Sequence, residues 1–238
     1  MSLILNGTSQ YAMRSASDWT QDEGTLAFWF QPDFAHDSFG AQAWFDVDTA
    51  LHRFILVGAF GAIRINVDGR ERDDTLDSGW TPNVTWVPLV HRWKKASDQF
   101  DLKMGGIAIG TGSASGTWGS NSPGTNYYIG FLDSESDVFF AGKVAHVARW
   151  DSALSDGDRD AFIAGDNPLV IADASLIHYR PLTEDGSGGY GSTDYTLVDS
   201  PSFDAGDNPE VDDPPASGSS NNIQRRFGYG IMLGRGQF

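Results

Sequence analysis

Three carboxylates stand at alternate positions in the stretch Asp133-Ser134-Glu135-Ser136-Asp137. In an extended chain that spacing puts all three on one face. Two such groups are what glycoside hydrolysis needs, one as acid and the other as base or nucleophile. Three converging carboxylates also suit a hard cation such as calcium. The surroundings favour neither. The stretch lacks the apolar alternation of a buried strand and lies between "NYYIGF" and "VFFAG", so a solvated loop is expected. Val138 occupies the place where an EF-hand loop requires glycine. No cofactor is expected, with calcium at Asp133, Glu135 and Asp137 as the one candidate.

Other reactive chemistry is sparse. There is no cysteine, which excludes disulfides and thiolate metal sites. His36, His52, His91, His146 and His178 show no metal spacing and read as strand-surface or loop residues. Neither Ser15 nor Ser17 has a histidine partner in a recognisable nucleophile context, so no enzymatic activity is expected. Aromatic rings near turns offer a different function. Trp80, Trp118, Tyr127 and Tyr128 would stack on sugar faces if exposed; otherwise they pack the core or its loop ends.

The formal charge is −16, which repels phosphates and argues against a nucleic-acid or anionic-membrane surface. A hydrophobic content of 40% with eight Trp is enough for a sizeable core. The opening "MSLILNGTSQYAM" has neither a basic region nor a long apolar stretch, so no signal peptide is expected and the chain reads as starting in a cytoplasm. The longest apolar run, "FILVGAFGAI", is too short to cross a bilayer as a helix.

The elements that must carry these residues are short strands. Stretches such as "TLAFWFQ", "HRFILVG", "QFDLKM" and "VFFAGKVAHVARW" are rich in β-branched and aromatic residues and bounded by turn formers. In "AIRINVDG" Ile63, Ile65 and Val67 alternate with Arg64 and Asn66, which makes a strand with one wet face. Roughly a dozen such strands imply an all-β, antiparallel two-sheet sandwich. One short helix is expected over "DGDRDAFIA", with Ser155 as its cap and Gly165 as its stop. "DYTLVDSPSF" reads as one last edge strand.

The order of these segments resembles the laminin-G-like, concanavalin A-like jelly rolls. "LILNGTSQYAM" is similar to their first hairpin, and "GTLAFWFQPD" to their Trp-bearing strand that ends in proline. "TWVPLVHRWKKASDQFDLKMGGIAIGTG" resembles their long central hairpin. "FFAGKVAHVARWDSALSDGDRDAFIAG" resembles their late strand and helix, and "LIHYRPLTEDGSG" their closing strand, with Arg180 in place of the usual Trp. The resemblance implies a jelly-roll domain over residues 1–200. Many relatives carry an acidic pair in the late strand; Ala145 and His146 stand there instead, so the calcium or structural role of that pair is not expected here.

Two further segments follow. Residues 201–220 read as an acidic Pro/Ser/Gly linker, and 221–238 as an extended basic, aromatic tail. The tail carries Arg225, Arg226 and Arg235 without any acid, together with Phe227, Tyr229, Ile231, Met232, Leu233 and Phe238. Such a segment suits an anchor that orders on a partner groove. The leading expectation is a non-catalytic structural or decorating protein of a larger assembly, a tailed-phage virion, assembled in the host cytoplasm and attached through this tail. The alternative is a glycan-binding, lectin-like module, free or virion-borne. Expected partners are other virion or assembly chains, with glycans and further copies of the chain as alternatives.

Overall fold

In a computed structural model the structure describes residues 2–35, 40–47, 52–56, 62–75, 80–105, 107–109, 114–120, 123–133, 138–171, 173–182, 189–191, 194–204, 206 and 209. Two antiparallel sheets face each other. In the first, the spatial order is β10 (Ile107–Ile109), β9 (Gln99–Met104), β8 (Val87–Lys94), β3 (Glu23–Pro32), β13 (Ala141–Trp150), β1 (Ser2–Asn6) and β16 (Ser202–Asp204), with β14 (Leu176–Arg180) also paired to β13. In the second it is β11 (Ser115–Gly116), β7 (Arg70–Thr75), β6 (Ala62–Val67), β5 (His52–Leu56), β4 (Gln42–Val47), β12 (Asn126–Ile129), β2 (Tyr11–Ser15) and β15 (Thr196–Val198).

The alternation seen in the sequence sets which side chains face inward. Ile63, Ile65 and Val67 of β6 are buried while Ala62, Arg64 and Asn66 are not. Phe100, Leu102 and Met104 of β9 do the same from the opposite sheet. These residues, with Phe28, Phe30, Trp44, Phe45 and Trp93, form the core between the sheets. The central hairpin is as expected, β8 pairing β9 and β9 pairing β10 in succession.

Two expectations change. "LILNGTSQYAM" is not a hairpin: β1 pairs β13 and β16 in the first sheet, while β2 pairs β12 and β15 in the second. Asn6 turns this corner, its side-chain oxygen accepting from the backbone N–H groups of Thr8, Ser9 and Gln10. "DYTLVDSPSF" supplies two strands rather than one. Asp199 and Ser200 have φ values of 57° and 52°, and that reversal sends β15 and β16 to the edges of opposite sheets.

The helix α1 (Asp156–Ala164) forms where its caps place it. Ser155 Oγ accepts from the Asp158 N–H at 3.1 Å and donates to the Asp158 carboxylate at 2.7 Å. Gly165, at φ 100°, ends it in the left-handed conformation that glycine adopts without strain. Phe162 packs with Ala27, Val90, Ala148 and Trp150 on the outer face of the first sheet. That sheet is therefore covered on both faces around β8, β3 and β13, which is why "TLAFWF" and "VAHVARW" read as nearly unbroken apolar runs. Ser155→Ala removes the cap and is expected to cost about 1 kcal/mol. Urea denaturation measures it; an unchanged midpoint contradicts the capping role.

Candidate functional site

Where the helix stops covering the first sheet, a groove of about 330 Å³ opens. Its floor comes from β3. Phe28 and Phe30 point into the core, so the residue between them, Trp29, is turned to the outer face. Pro88 of β8 lies in register beside Trp29. Trp86, just before β8, brings a second indole to the wall, while Trp80, a core residue only 7% exposed, backs it. Ile107, the first residue of β10, and Ile163 from α1 line the remaining sides. Trp29 and Trp86 are half-buried, while Ile107 is exposed. Trp80 is held rigidly: its indole N–H donates to the Phe34 carbonyl at 2.7 Å, and its ring meets Phe30 and Trp44 edge to face. Among the described residues the lining is apolar and aromatic and includes no charged side chain.

The sequence-derived aromatic set does not come together. Of the four, only Trp80 touches the groove, and at 7% exposed it packs the core rather than offering its face. Tyr127 is fully buried between the sheets, so its ring cannot stack on a sugar. Tyr128 is only 6% exposed, because Tyr11 and Phe131 pack against it. Trp118 is half-buried; its N–H donates to Asp98 at 2.6 Å and its ring packs against Phe100, the inward-facing residue of β9. Trp29 and Trp86 went unrecognised as site residues, although period-two alternation in "AFWFQ" already points Trp29 away from its phenylalanine neighbours.

The acidic stretch is described only at Asp133, which is exposed and whose N–H donates to Asp46 Oδ2 at 3.0 Å. Glu135 and Asp137 lie outside the described residues, as do Arg225, Arg226, Phe227, Tyr229, Ile231, Met232, Leu233, Arg235 and Phe238. Among the described residues no three His, Asp or Glu side chains gather as metal ligands.

Four of the five histidines are a correction, while His36 lies outside the described residues. His52, His91 and His178 are fully buried and His146 is 6% exposed, so they are not surface residues. His52 sits edge-on to Trp19 and Trp93, and His91 stacks on Trp93. His146 occupies a bulge in β13 at φ 53°, and its ring lies parallel to Tyr179. Arg180, at the Trp position of the resembled family, is also buried; it binds Asp194 at 3.1 Å and the carbonyls of Tyr190 and Gly191.

A polar network fills one end of the interior. Asp18 takes Arg14 at 2.8 Å and Arg149 at 3.1 Å. Arg14 also reaches Tyr127 Oη at 3.1 Å and His178 Nδ1 at 3.2 Å, and Tyr195 Oη meets Tyr127 Oη at 3.2 Å. Burial pushes Tyr127 and Tyr195 up, and burial with Arg14, Arg149 and Arg180 pushes His178 well down. These groups are frozen in one protonation state at neutral pH. They clamp the two sheets together and have no solvent-facing proton to exchange.

A family profile described as the concanavalin A-like lectin/glucanases superfamily matches residues 6–158. No curated protein matches the sequence. Among solved structures, a heptameric SAP-like pentraxin from Limulus polyphemus superposes with a TM-score of 0.55 at 12% identity, over 83% of this chain and 95% of the pentraxin. A Bacteroides ovatus protein described as carbohydrate binding gives 0.57 at 14% identity, over 86% of this chain and 62% of its own. The CBM40 of a Ruminococcus gnavus IT-sialidase, bound to α2,3 sialyllactose, gives 0.50 at 12% identity, over 68% and 94%. At these identities the likeness is one of fold.

Proposed function

Because the chain belongs to the concanavalin A-like lectin/glucanases superfamily, we propose that it is a non-catalytic domain that binds carbohydrate in the groove floored by Trp29 and walled by Trp86. The observation that carries this reading is the indole-lined wall. An indole face offers a flat, electron-rich surface to the C–H face of a sugar ring, at little conformational cost because the ring is already held by packing. Among the described residues the lining contains no carboxylate or histidine to break a glycosidic bond. Trp86→Ala removes one wall while sparing the core. It is expected to weaken binding at least tenfold in titration calorimetry against the best ligand of a glycan array, with an unchanged circular dichroism spectrum. Equal affinity of the variant and the parent sinks the assignment of the groove.

A second reading rests on the tail. A jelly roll followed by an acidic linker and a basic, aromatic end has the composition of a tethered component of a larger assembly, such as a tailed-phage virion. The two readings are compatible, since a particle-borne domain can present a glycan groove outward. Deleting residues 221–238 is expected to abolish incorporation into the particle and leave sugar binding intact. Unchanged incorporation refutes the anchor.

A further inference from the structure

We propose that this groove selects uncharged pyranose chains with mainly equatorial hydroxyls and rejects sialylated, uronic or sulfated sugars. The inference rests on the carbohydrate reading of the groove and adds the class of sugar.

The first argument is what surrounds the site. An acidic sugar needs a cation, or a cluster of free N–H donors, to replace the water around its carboxylate. Among the described residues no lysine or arginine lines the groove. The cations on the elements that frame it are already engaged. On β9, Lys103 binds Asp160 at 2.9 Å. On α1, Arg159 binds Asp156 at 3.0 Å and Asp160 at 2.9 Å. On β8, Arg92 grips Asp101 at 3.0 Å and Asp156 at 2.9 Å. The turn between β9 and β10 offers no free donor at Gly105, whose N–H already donates to the Pro88 carbonyl at 2.8 Å.

The second argument is sign. Asp160 is held down to about 2 by Arg159 and Lys103, so these pairs stay closed across the neutral range and leave neither cation for a ligand. The whole chain carries −16. An anionic sugar would approach against this field and enter an aromatic trough of low polarity, where repulsion is poorly screened.

The third argument is shape. Trp29, Trp86, Pro88, Ile107 and Ile163 present flat or aliphatic surfaces, with Thr85 the one hydroxyl among the lining residues. Pyranoses with equatorial hydroxyls keep their axial C–H bonds on two apolar faces and their hydroxyls at the rim. That distribution meets the indoles without burying an unpaired hydroxyl.

The test is titration of the intact chain with cellotetraose and xylotetraose against 3'-sialyllactose and tetragalacturonate, at low and high NaCl. The neutral tetrasaccharides are expected to bind at least tenfold more tightly, with affinity independent of salt. Acidic sugars that bind as well or better overturn the selectivity and leave the carbohydrate reading standing. A chain that binds none of the four, nor any other sugar on an array, removes the carbohydrate reading and the selectivity with it. A synthetic peptide of residues 221–238 that binds the intact chain, and fails to bind Trp86→Ala, gives the groove to the tail and overturns both.

Discussion

Between pH 7.5 and pH 5 the protein is expected to lose several kcal/mol of stability and to take up about three protons on unfolding. The cause is the set of imidazoles sealed inside it. Burial pushes His91 down to about 3, with Asp101 opposing and Arg92 assisting the fall. Burial, then His91 and Arg149, push His52 well down; neither of its ring nitrogens meets a hydrogen-bond partner among the described residues. Burial, then Arg14, Arg149 and Arg180, do the same to His178. All three folded values lie below the unfolded value of 6.5. The unfolded chain therefore binds more protons than the folded one once pH falls below 6.5. Stability is complete above that pH and drains away as pH drops toward the folded values. Each imidazole kept neutral to pH 5 forfeits about 2 kcal/mol, and three of them about 6 kcal/mol, against a typical total of 5–15 kcal/mol. Urea titrations at a series of pH values measure this directly. His178→Gln should flatten the slope by about one proton. A midpoint that stays constant from pH 7.5 to 5 disproves the account.

Asp18→Ala is expected to destabilise the fold by about 3 kcal/mol, the low end for breaking a buried ion pair. Asp18 is the shared carboxylate of Arg14 and Arg149, whose side chains are 2% and 0% exposed. Removing it takes away the carboxylate that both guanidiniums share inside the sandwich. Its own side chain is 29% exposed, so water can enter the gap and keep the loss from the upper end of the range. Arg149 suffers most. Burial already lowers it, and Asp18 is one of the groups that oppose that fall. Its guanidinium also lies 4.8 Å over the Trp19 ring, which anchors one side of the core. The double variant Asp18→Ala/Arg14→Met should recover part of the loss, because it removes one of the two guanidiniums. A loss below 1 kcal/mol, or a strictly additive double variant, rules out this role for Asp18.

Much of the scaffold is legible in the sequence. The alternation in "AIRINV" and "QFDLKM" gives both the strands and their inward faces. Ser155, Asp158 and Gly165 bound the helix to the residue, because capping depends on groups only a few positions apart. The glycine and asparagine of "LILNGTSQYAM" mark a reversal, but the same residues serve a hairpin and a corner between sheets. The choice is made by what β1 and β2 pair with far away, β13 and β12.

The candidate site shows the same division. Residue types and periodicity determine that this chain builds a jelly roll with surplus aromatic residues, no thiol chemistry and a strongly negative surface. They do not determine which aromatic residues are reachable. Tyr127 and Trp29 both lie in aromatic strands, yet Tyr127 is sealed between the sheets while Trp29 floors a groove. Trp29, Trp86, Ile107 and Ile163 meet only because β3 pairs β8, β8 pairs β9, and α1 folds back over part of that sheet. His91, Arg92 and Arg149 are buried for the same reason, since a layer on each side of their strands removes the wet face that a single sheet would leave them. Local propensity acts over a few residues, whereas burial is set by the layers a strand ends up between, and those layers are assembled from distant parts of the chain.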